Sequence, residues 1–480
     1  MKRLKSIPRR LGFILGAQWT RDLSWTLFII LLSRRSPDIL GEIVLALTFG
    51  YLVKTATDIG LNDFLLSTFA RREGHPRALL SEVSWLKLCA LAIALLVAWA
   101  VCEWQNYGQE LKIIVFCVAG GLGLDALSDS FFALCQARGR QDVEMRVRIP
   151  SALLGIGYGV VAVLAGWSPI AIALYKPIES VFCAAFVVYA LGDNPFGRVN
   201  PEALRDLWQN LKKGAVFTGM AVCAMFYNKI NVIFLKKYGG NVDVGGYGVA
   251  WETIEGLSVL VSSALLGKVI FPLLARLWRE NKEAFRKLAG QTARSLWAAA
   301  LPMIFLIWVE SDRFLTLIYG PDYAYAVKAQ QWLTPCLATA FLHNLAAYAM
   351  IGMREQNLLF GFYLSGLVVN LVCCFTLIPA DPLGGAALTL TLTKVWVAIL
   401  TVGYFQSRAK PMTAAQWLIL AGTGFLAVFL WRATVPYIPR ELAEFLGLLP
   451  LLALFWSWRP PSLFEKKKPD DPEKSSAAGA

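Results

Sequence analysis

Long apolar segments follow one another along almost the whole of this chain of 480 residues. A helix needs about 20 apolar residues to cross the hydrocarbon core of a membrane. With 57% apolar and 16% charged residues, the chain is also too apolar for a soluble protein of this size. We therefore predict an all-α polytopic membrane protein with fourteen transmembrane spans, at 11–33, 39–69, 79–102, 111–137, 146–166, 169–191, 212–235, 245–275, 291–310, 326–350, 357–379, 383–406, 412–432 and 442–458.

The positive charges between the spans test this count independently. With the N-terminus inside, the predicted inner segments hold 29 Lys and Arg residues and the outer segments hold 9. Such a bias is typical of cytoplasmic loops, and an error in the number of spans would reverse it downstream. The sequence therefore predicts that both termini are cytoplasmic. Because the net charge of +13 is explained by these loops, no nucleic-acid partner is expected.

The predicted loops are too short to hold a soluble catalytic domain, so we do not expect an enzyme. The longest of them covers only residues 192–211. The nine cysteines lie within or at the end of apolar spans and form no C-x-x-C pair. This pattern favours small apolar packing residues over a disulfide framework or a zinc site. No metal or cofactor is therefore expected.

Two segments in different halves of the chain resemble each other. Gly41–Arg71 and Gly246–Arg276 align without gaps at an offset of 205 residues, and both end in Ala-Arg. The offset corresponds to six predicted spans, which keeps the same orientation in the membrane. Parallel repeats of six spans are a transporter design in which the substrate path lies between the halves. In this register Asp63 corresponds to Lys268, so we expect opposite charges at equivalent places.

Eight basic side chains lie within the predicted spans. A charge at bilayer depth is costly, so it normally faces a wet cavity or a partner. Two of the eight, Lys87 and Arg294, lie near cytoplasmic ends, which favours ion pairs or snorkelling to the interface. The others either line a cavity or form structural ion pairs. The eight residues are Arg21, Lys54, Lys87, Lys176, Lys229, Lys268, Arg294 and Lys394.

Acidic residues inside the spans offer partners for these cations. Lys54 and Asp58 are spaced i, i+4 and can pair on one face of a helix. Asp125 and Asp129 have the same spacing, so either one of them holds a proton or both are paired with cations. We favour pairing with two residues at the inner edge, Arg146 and Arg148.

Three further features within the spans are assigned structural roles. His343 can titrate near neutral pH, but a hydrogen-bonded packing role is favoured. Pro177 is expected to disrupt the sixth span, because proline lacks a backbone donor. The glycines of Gly120-Gly121-x-Gly123 are expected to let neighbouring helices approach closely.

Three motifs, taken in order, resemble those of a known family. They are Tyr247-Gly248-Val249-Ala250 through Phe271-Pro272-Leu273-Leu274-Ala275-Arg276, then Ile318-Tyr319-Gly320-Pro321-Asp322-Tyr323-Ala324-Tyr325-Ala326, and Val369-Asn370-Leu371 followed by Leu377-Ile378-Pro379 and Gly384-Gly385-Ala386-Ala387. Together they resemble the lipid-linked oligosaccharide (O-antigen or polysaccharide) flippases of the multidrug/oligosaccharidyl-lipid/polysaccharide exporter superfamily. The resemblance covers most of residues 10–406.

The resemblance implies two lobes of six helices around a central cavity. The N-lobe would cover residues 1–200 and contain spans one to six, and the C-lobe would cover 205–406 and contain spans seven to twelve. Two additional spans would follow at 407–459. The polar segment 460–480 is predicted to be a disordered cytoplasmic tail.

The resemblance also implies a function. Such a protein moves an undecaprenyl-diphosphate-linked oligosaccharide from the cytoplasmic to the outer leaflet of the bacterial inner membrane by alternating access, coupled to a cation gradient. Its partners would be the lipid-linked anionic glycan, membrane lipid and a polysaccharide polymerase. Buried Lys and Arg can hold a diphosphate. The predicted substrate-binding residues are Arg21, Lys54, Lys176, Lys229, Lys268 and Lys394, with Trp19, Trp25, Tyr227 and Trp251 stacking on sugars and Asp22, Asp58 and Glu255 coupling the ion.

Three other functions compete with this one. A multidrug exporter of the same fold would carry organic cations, which favour an acidic cavity. A membrane glycosyltransferase or polysaccharide polymerase would need catalytic residues on a sizeable outer loop, which the predicted loops lack. A scaffold without transport activity is disfavoured by the free-energy cost of so many buried charges.

Overall fold

The fold is helical throughout the part of the chain that the structure describes. This computed structural model describes residues 23–71, 76–192, 196–197, 201–259, 266 and 270–458, and no strand occurs among them. Eleven helices within these ranges are long and apolar enough to cross a membrane. The prediction of an all-α polytopic membrane protein is confirmed. The count of fourteen spans stays a prediction, because parts of the first and eighth predicted spans lie outside the described residues.

The N-terminal helices form a first packed group. The helix α5 lies against α2, α4 and α8, and α6 packs along α8. These helices bury a largely aliphatic core. In chain order they are α1 (23–35), α2 (Pro37–Asp58), α3 (Leu61–Arg71), α4 (Pro76–Trp104), α5 (Gln109–Ala137), α6 (Gln141–Leu164), α7 (Pro169–Ala173) and α8 (Tyr175–Leu191).

The C-terminal helices form a second packed group. In this group α9 lies against α15 and α16, and α14 packs against α16 and α11. A short 3₁₀ helix at Pro321–Ala326 separates two of the helices. They are α9 (Pro201–Val259), α10 (Phe271–Glu280), α11 (Lys282–Val309), α12 (Ser311–Ile318), α13 (Val327–Leu333), α14 (Pro335–Gly352), α15 (Gln356–Thr376) and α16 (Pro382–Ala409).

The last two helices attach to the outside of the second group. They are α17 (Ala414–Thr434) and α18 (Arg440–Trp458), which pack on each other while α18 lies along α11. At one end of this contact the guanidinium of Arg440 donates to Asp312 at 2.6 Å and to Glu444 at 2.7 Å. Glu310 lies 3.2 Å from the same guanidinium. An ion-pair cluster therefore holds α18 to the end of α11.

Several helices are interrupted where the local sequence requires it. The helix α2 ends at Asp58, because the next two residues have left-handed backbone conformations: φ is 38° at Ile59 and 75° at Gly60. The predicted span 39–69 is therefore two helices, α2 and α3. A break at Leu174 separates α7 from α8, because Pro177 has no N–H to donate to the preceding turn. The long helix α9 is bent at Gly240, where φ is 86° and ψ is −170°.

The two groups of helices meet along α2 and α9. Glycines permit this approach, since a Cβ on Gly41 would overlap the Asn241 carbonyl and one on Gly248 would contact Val44. A similar packing role was predicted for the glycines of α5. It is confirmed for Gly121 and Gly123, where a Cβ would contact neighbouring side chains, whereas Gly120 faces open space. Small residues thus set the distance between helices at both places.

Candidate functional site

A charged network joins three N-terminal helices around Asp129 of α5. The Lys54 ammonium of α2 lies 2.9 Å from Asp129, and the Arg148 guanidinium of α6 donates to the same carboxylate at 2.6 Å. Arg148 also pairs with Glu144 at 2.9 Å. The predicted pair of Asp129 with Arg148 is confirmed. Lys54 does not pair with Asp58, as its spacing suggested, because α5 packs closely on α2 and brings a better-placed carboxylate to the ammonium.

Asp58 instead pairs with Lys87 of α4. The Lys87 ammonium donates to Asp58 at 2.6 Å, to the Asn62 side chain at 2.8 Å and to the Ala126 carbonyl at 2.8 Å. The Lys87 side chain is 0% exposed, so it does not reach an interface as a snorkelling lysine would. The ion-pair alternative for this residue is therefore confirmed. Three acceptors match the three donors of an ammonium and fix α2, α3, α4 and α5 together.

The third N-terminal network surrounds Lys176 of α8. Its ammonium lies 2.8 Å from Asp125 and 2.9 Å from Glu179. Asp125 was expected to pair with Arg146 or Arg148, which is wrong because Arg146 lies near Asp142, at 3.7 Å, and Arg148 is taken by Asp129. Across the three networks, four cations face five carboxylates. The N-terminal networks therefore carry no surplus positive charge.

Two buried cations of the C-terminal helices, Lys229 and Lys394, are less completely neutralised. Lys229 of α9 lies 4.0 Å from Glu255, beyond hydrogen-bonding distance, and its ammonium lies 4.9 Å from the ring centroid of Tyr51. Tyr51 belongs to α2, so Lys229 is at the contact between the two groups of helices. Nearby, the Trp25 indole N–H donates to Glu252 at 3.0 Å. Predicted aromatic and charged site residues thus come together along this contact.

A polar cavity of about 220 Å³ lies among α9, α14, α15 and α16. Eight of its eleven lining residues are polar, and none of the eleven is a carboxylate. Lys394 of α16 lies at this cavity, with its ammonium 4.3 Å from the ring centroid of Trp251. Within the described ranges, no carboxylate oxygen comes within 4.0 Å of that ammonium. The cavity therefore presents a cation without a direct counter-charge.

Hydrogen bonds hold the cavity walls in place. His343 of α14 is bonded to Thr401 at 3.0 Å through Nδ1 and to the Tyr363 hydroxyl at 2.9 Å through Nε2. The packing role predicted for His343 is therefore confirmed. Behind the wall, the Asn370 amide donates to the Tyr227 carbonyl at 3.0 Å and to Thr393 at 3.1 Å. These bonds connect α9, α15 and α16, so the position of Lys394 is fixed by its surroundings.

The sequence analysis identified some of these residues and missed others. Lys229, Lys394, Glu255, Tyr227 and Trp251 were predicted to belong to a site, and the structure brings them close to the cavity or to the α2–α9 contact. The polar cavity residues that were not predicted lie inside apolar segments, where a polar side chain is itself a signal: Ser258, Thr339, Asn344 and Tyr363. Four predicted residues lie outside the described ranges: Trp19, Arg21, Asp22 and Lys268.

Comparison with known sequences gives a consistent family. A family model described as "Polysaccharide biosynthesis protein" matches residues 31–328. A protein of Shigella dysenteriae that carries the provisional name O-antigen transporter is 23% identical over 233 residues. That alignment covers 47% of this chain and 57% of the relative, so the chain spans a little over half of the curated relative that it matches.

Solved structures with the same fold are transporters. The lipid II flippase MurJ in an inward closed conformation superimposes with a TM-score of 0.71 at 11% identity, covering 93% of this chain and 98% of that one. An inward-facing multidrug resistance MATE family transporter of the MOP superfamily gives 0.64 at 15% identity, covering 81% of this chain and 94% of that one. At these identities the likeness establishes the fold, which confirms the fold class predicted from the sequence.

Proposed function

Because the chain belongs to the family of polysaccharide biosynthesis proteins, we propose that it is a transporter that flips a lipid-linked oligosaccharide across the membrane. The cargo would be joined to undecaprenyl diphosphate and would move from the cytoplasmic to the outer leaflet. Its diphosphate and sugars cannot cross hydrocarbon unaided. The observation that carries this proposal is the polar cavity beside Lys394, built inside a bundle of membrane-spanning helices.

The proposed movement is alternating access between two lobes. The N-lobe would comprise residues 1–200 and the C-lobe 205–406, with 407–459 as an addition at the side. The contact between α2 and α9 joins these lobes along one line, and its glycines allow a close but separable surface. Rocking about this contact would expose the cavity to either leaflet in turn.

Orientation and ion coupling belong to the same proposal. The charge bias of the loops supports an inner-membrane protein with both termini in the cytoplasm. A cysteine introduced at Gly74 should then react with an impermeant maleimide only from inside, and one at Gly240 only from outside. The opposite labelling would overturn the topology. For cation coupling we propose Glu255, whose carboxylate has a single loose partner, Lys229, among the described ion pairs. Asp58 is a weaker candidate because Lys87 holds it.

A multidrug exporter is the competing function, since a multidrug resistance transporter shares the fold. A carboxylate at the binding site favours organic cations, and a fixed ammonium repels them. The described cavity has no carboxylate among its lining residues and carries a lysine instead. This chemistry supports an anionic cargo.

The proposal is tested in cells in which the gene for this protein has been deleted. We expect surface glycan to be lost and the lipid-linked glycan to accumulate in the inner leaflet, where an added impermeant glycosidase cannot reach it. Re-expression should restore both measurements. Normal surface glycan with an unchanged lipid-linked pool would refute the proposed function. Resistance to organic cations, measured in the same strains, would distinguish the multidrug alternative.

A further inference from the structure

We propose that the C-terminal cavity beside Lys394 is the subsite that binds an oxyanion of the cargo, and that the N-terminal cations hold helices together instead. This inference rests on the proposed function and narrows it to one cavity. The oxyanion has two possible sources: the diphosphate of the lipid carrier and the carboxylate of an acidic sugar. Both present negatively charged oxygens to an ammonium.

The balance of charge favours anion binding at the cavity over anion binding at the N-terminal networks. In the N-terminal networks each cation already lies 2.6–2.9 Å from at least one carboxylate. A cargo oxyanion would have to displace these carboxylates, leaving them buried without a counter-charge, which is strongly unfavourable. Around the cavity, Lys229 lies 4.0 Å from Glu255, and no carboxylate oxygen of the described residues lies within 4.0 Å of the Lys394 ammonium. An incoming oxyanion therefore neutralises charge here, whereas it would create an imbalance in the N-terminal networks.

The cavity wall carries polar groups that suit a hydroxylated anion. Asn228 and Tyr363 line the same cavity as Lys394; the Asn228 amide donates to the Ala224 carbonyl, and the Tyr363 hydroxyl is bonded to His343. The Asn228 side-chain oxygen and the Trp251 indole N–H are both buried and find no hydrogen-bond partner within the described ranges. Buried polar groups are normally satisfied, so the Asn228 oxygen at the cavity and the Trp251 N–H, whose ring lies against Lys394, can take a bound polar molecule as their partner. A hydroxylated, anionic group would supply both a donor and an acceptor.

The volume of the cavity limits what it can hold. Pockets for whole drug-sized ligands occupy about 300–1,000 Å³, and this cavity is smaller, at about 220 Å³. It therefore fits one phosphate-bearing or sugar-sized group and not a complete oligosaccharide. The rest of the cargo would lie outside this cavity.

The test measures binding to the purified full-length chain in detergent, with two probes. Farnesyl diphosphate represents the carrier diphosphate, and glucuronate represents an acidic sugar. Hydrogen bonds to charged groups are worth more than neutral ones, so Lys394→Gln should weaken the binding of the recognised probe by about tenfold or more. Lys394→Arg should restore much of it, because the charge is kept.

The chain offers a matched control in Lys112. This lysine is also buried and also lies by a tryptophan ring, with its ammonium 6.0 Å from the Trp99 centroid, but Glu103 neutralises it at 2.6 Å. Lys112→Gln should leave binding unchanged. Melting temperatures of all variants would show whether a loss of binding reflects unfolding, and Lys394→Arg keeps the test open if Lys394→Gln is unstable.

The outcomes separate this inference from the proposed function. Loss of diphosphate binding in Lys394→Gln assigns the subsite to the lipid carrier, and loss of glucuronate binding alone assigns it to an acidic sugar; either supports the inference. Unchanged binding of both probes in folded Lys394→Gln, or an equal loss in Lys112→Gln, would overturn it. The cellular assay on removal of the chain would then still decide the transport function.

Discussion

Replacing Lys87 with methionine tests whether the N-terminal charges are structural. The substitution keeps an apolar stem of similar length but removes an ammonium that donates to three acceptors. Asp58 would be left without its partner, and its side chain is 26% exposed, so water reaches it only in part. We therefore expect destabilisation, and its size follows from the three contacts.

Two of the contacts are to neutral groups, Asn62 and the Ala126 carbonyl. Interhelical hydrogen bonds inside membrane proteins are worth about 0.6 kcal/mol each on average, so together they contribute about 1 kcal/mol. Breaking a buried ion pair by removing one partner costs about 3–5 kcal/mol, and partial hydration of Asp58 favours the lower end. The expected loss for Lys87→Met is therefore about 3–4 kcal/mol.

The double variant Lys87→Met/Asp58→Asn separates the stranded charge from the lost contacts. Without the uncompensated carboxylate, most of the ion-pair cost should disappear, leaving a loss of about 1–2 kcal/mol, which is roughly 2 kcal/mol less than the loss in Lys87→Met. Unfolding in mixed detergent micelles, followed by tryptophan fluorescence, measures these differences. A single variant as stable as the wild type, or a double variant less stable than Lys87→Met, would contradict a structural role for this network.

Two further predictions concern the ends of the helices. Burial and a hydrogen bond with Glu444 raise the pKa of the Glu310 carboxyl from 4.5 to about 7. The stability that its proton provides is fully present below 4.5 and is lost as the pH rises through about 7, so the melting temperature should fall between about pH 5 and about pH 7, and less so in Glu310→Gln. At the α2–α9 contact, a Cβ on Gly245 would lie 2.5 Å from the Pro37 carbonyl. Gly245→Val should therefore separate the helices and increase maleimide labelling of a cysteine introduced in α2, whereas Gly422→Val, where a Cβ meets nothing within 4 Å, should not; equal labelling of both variants would contradict this.

The apolar pattern of the sequence predicted the helices, and the positions of charged residues predicted some of the ion pairs between them. The fold class followed from segment length, and the Asp129–Arg148 pair followed from two charges predicted at the same edge. Spacing within one helix failed for Lys54 and Asp58, because the packing of α4 and α5 on α2 decides which carboxylate each cation meets. A partner on a neighbouring helix leaves no local signal in a single sequence.

The cavity could not be predicted from the sequence for a related reason. Its wall combines Asn228, His343, Tyr363 and Lys394 from four helices, and their convergence depends on how α9, α14, α15 and α16 pack. The available signal was the presence of polar side chains in apolar segments, where each is costly unless it is paired or functional. That signal selects candidates but does not group them. Lys394 and Lys176 were accordingly both predicted to bind substrate, although Lys394 lies at a cavity and Lys176 is enclosed by two carboxylates.

The loose contacts of Lys229 suggest how cargo charge and movement of the helices are connected. Its 4.0 Å separation from Glu255 is too long for a hydrogen bond, so the pair can rearrange with little loss of free energy. Glu255 also acts electrostatically on Lys394, and Lys229 lies over Tyr51 of α2. An anion bound at Lys394 would repel Glu255 and favour its closer pairing with Lys229 or with a coupling cation. Because Lys229 is at the α2–α9 contact, we expect that rearrangement to alter the packing of α2 on α9, while the tightly paired N-terminal networks remain intact.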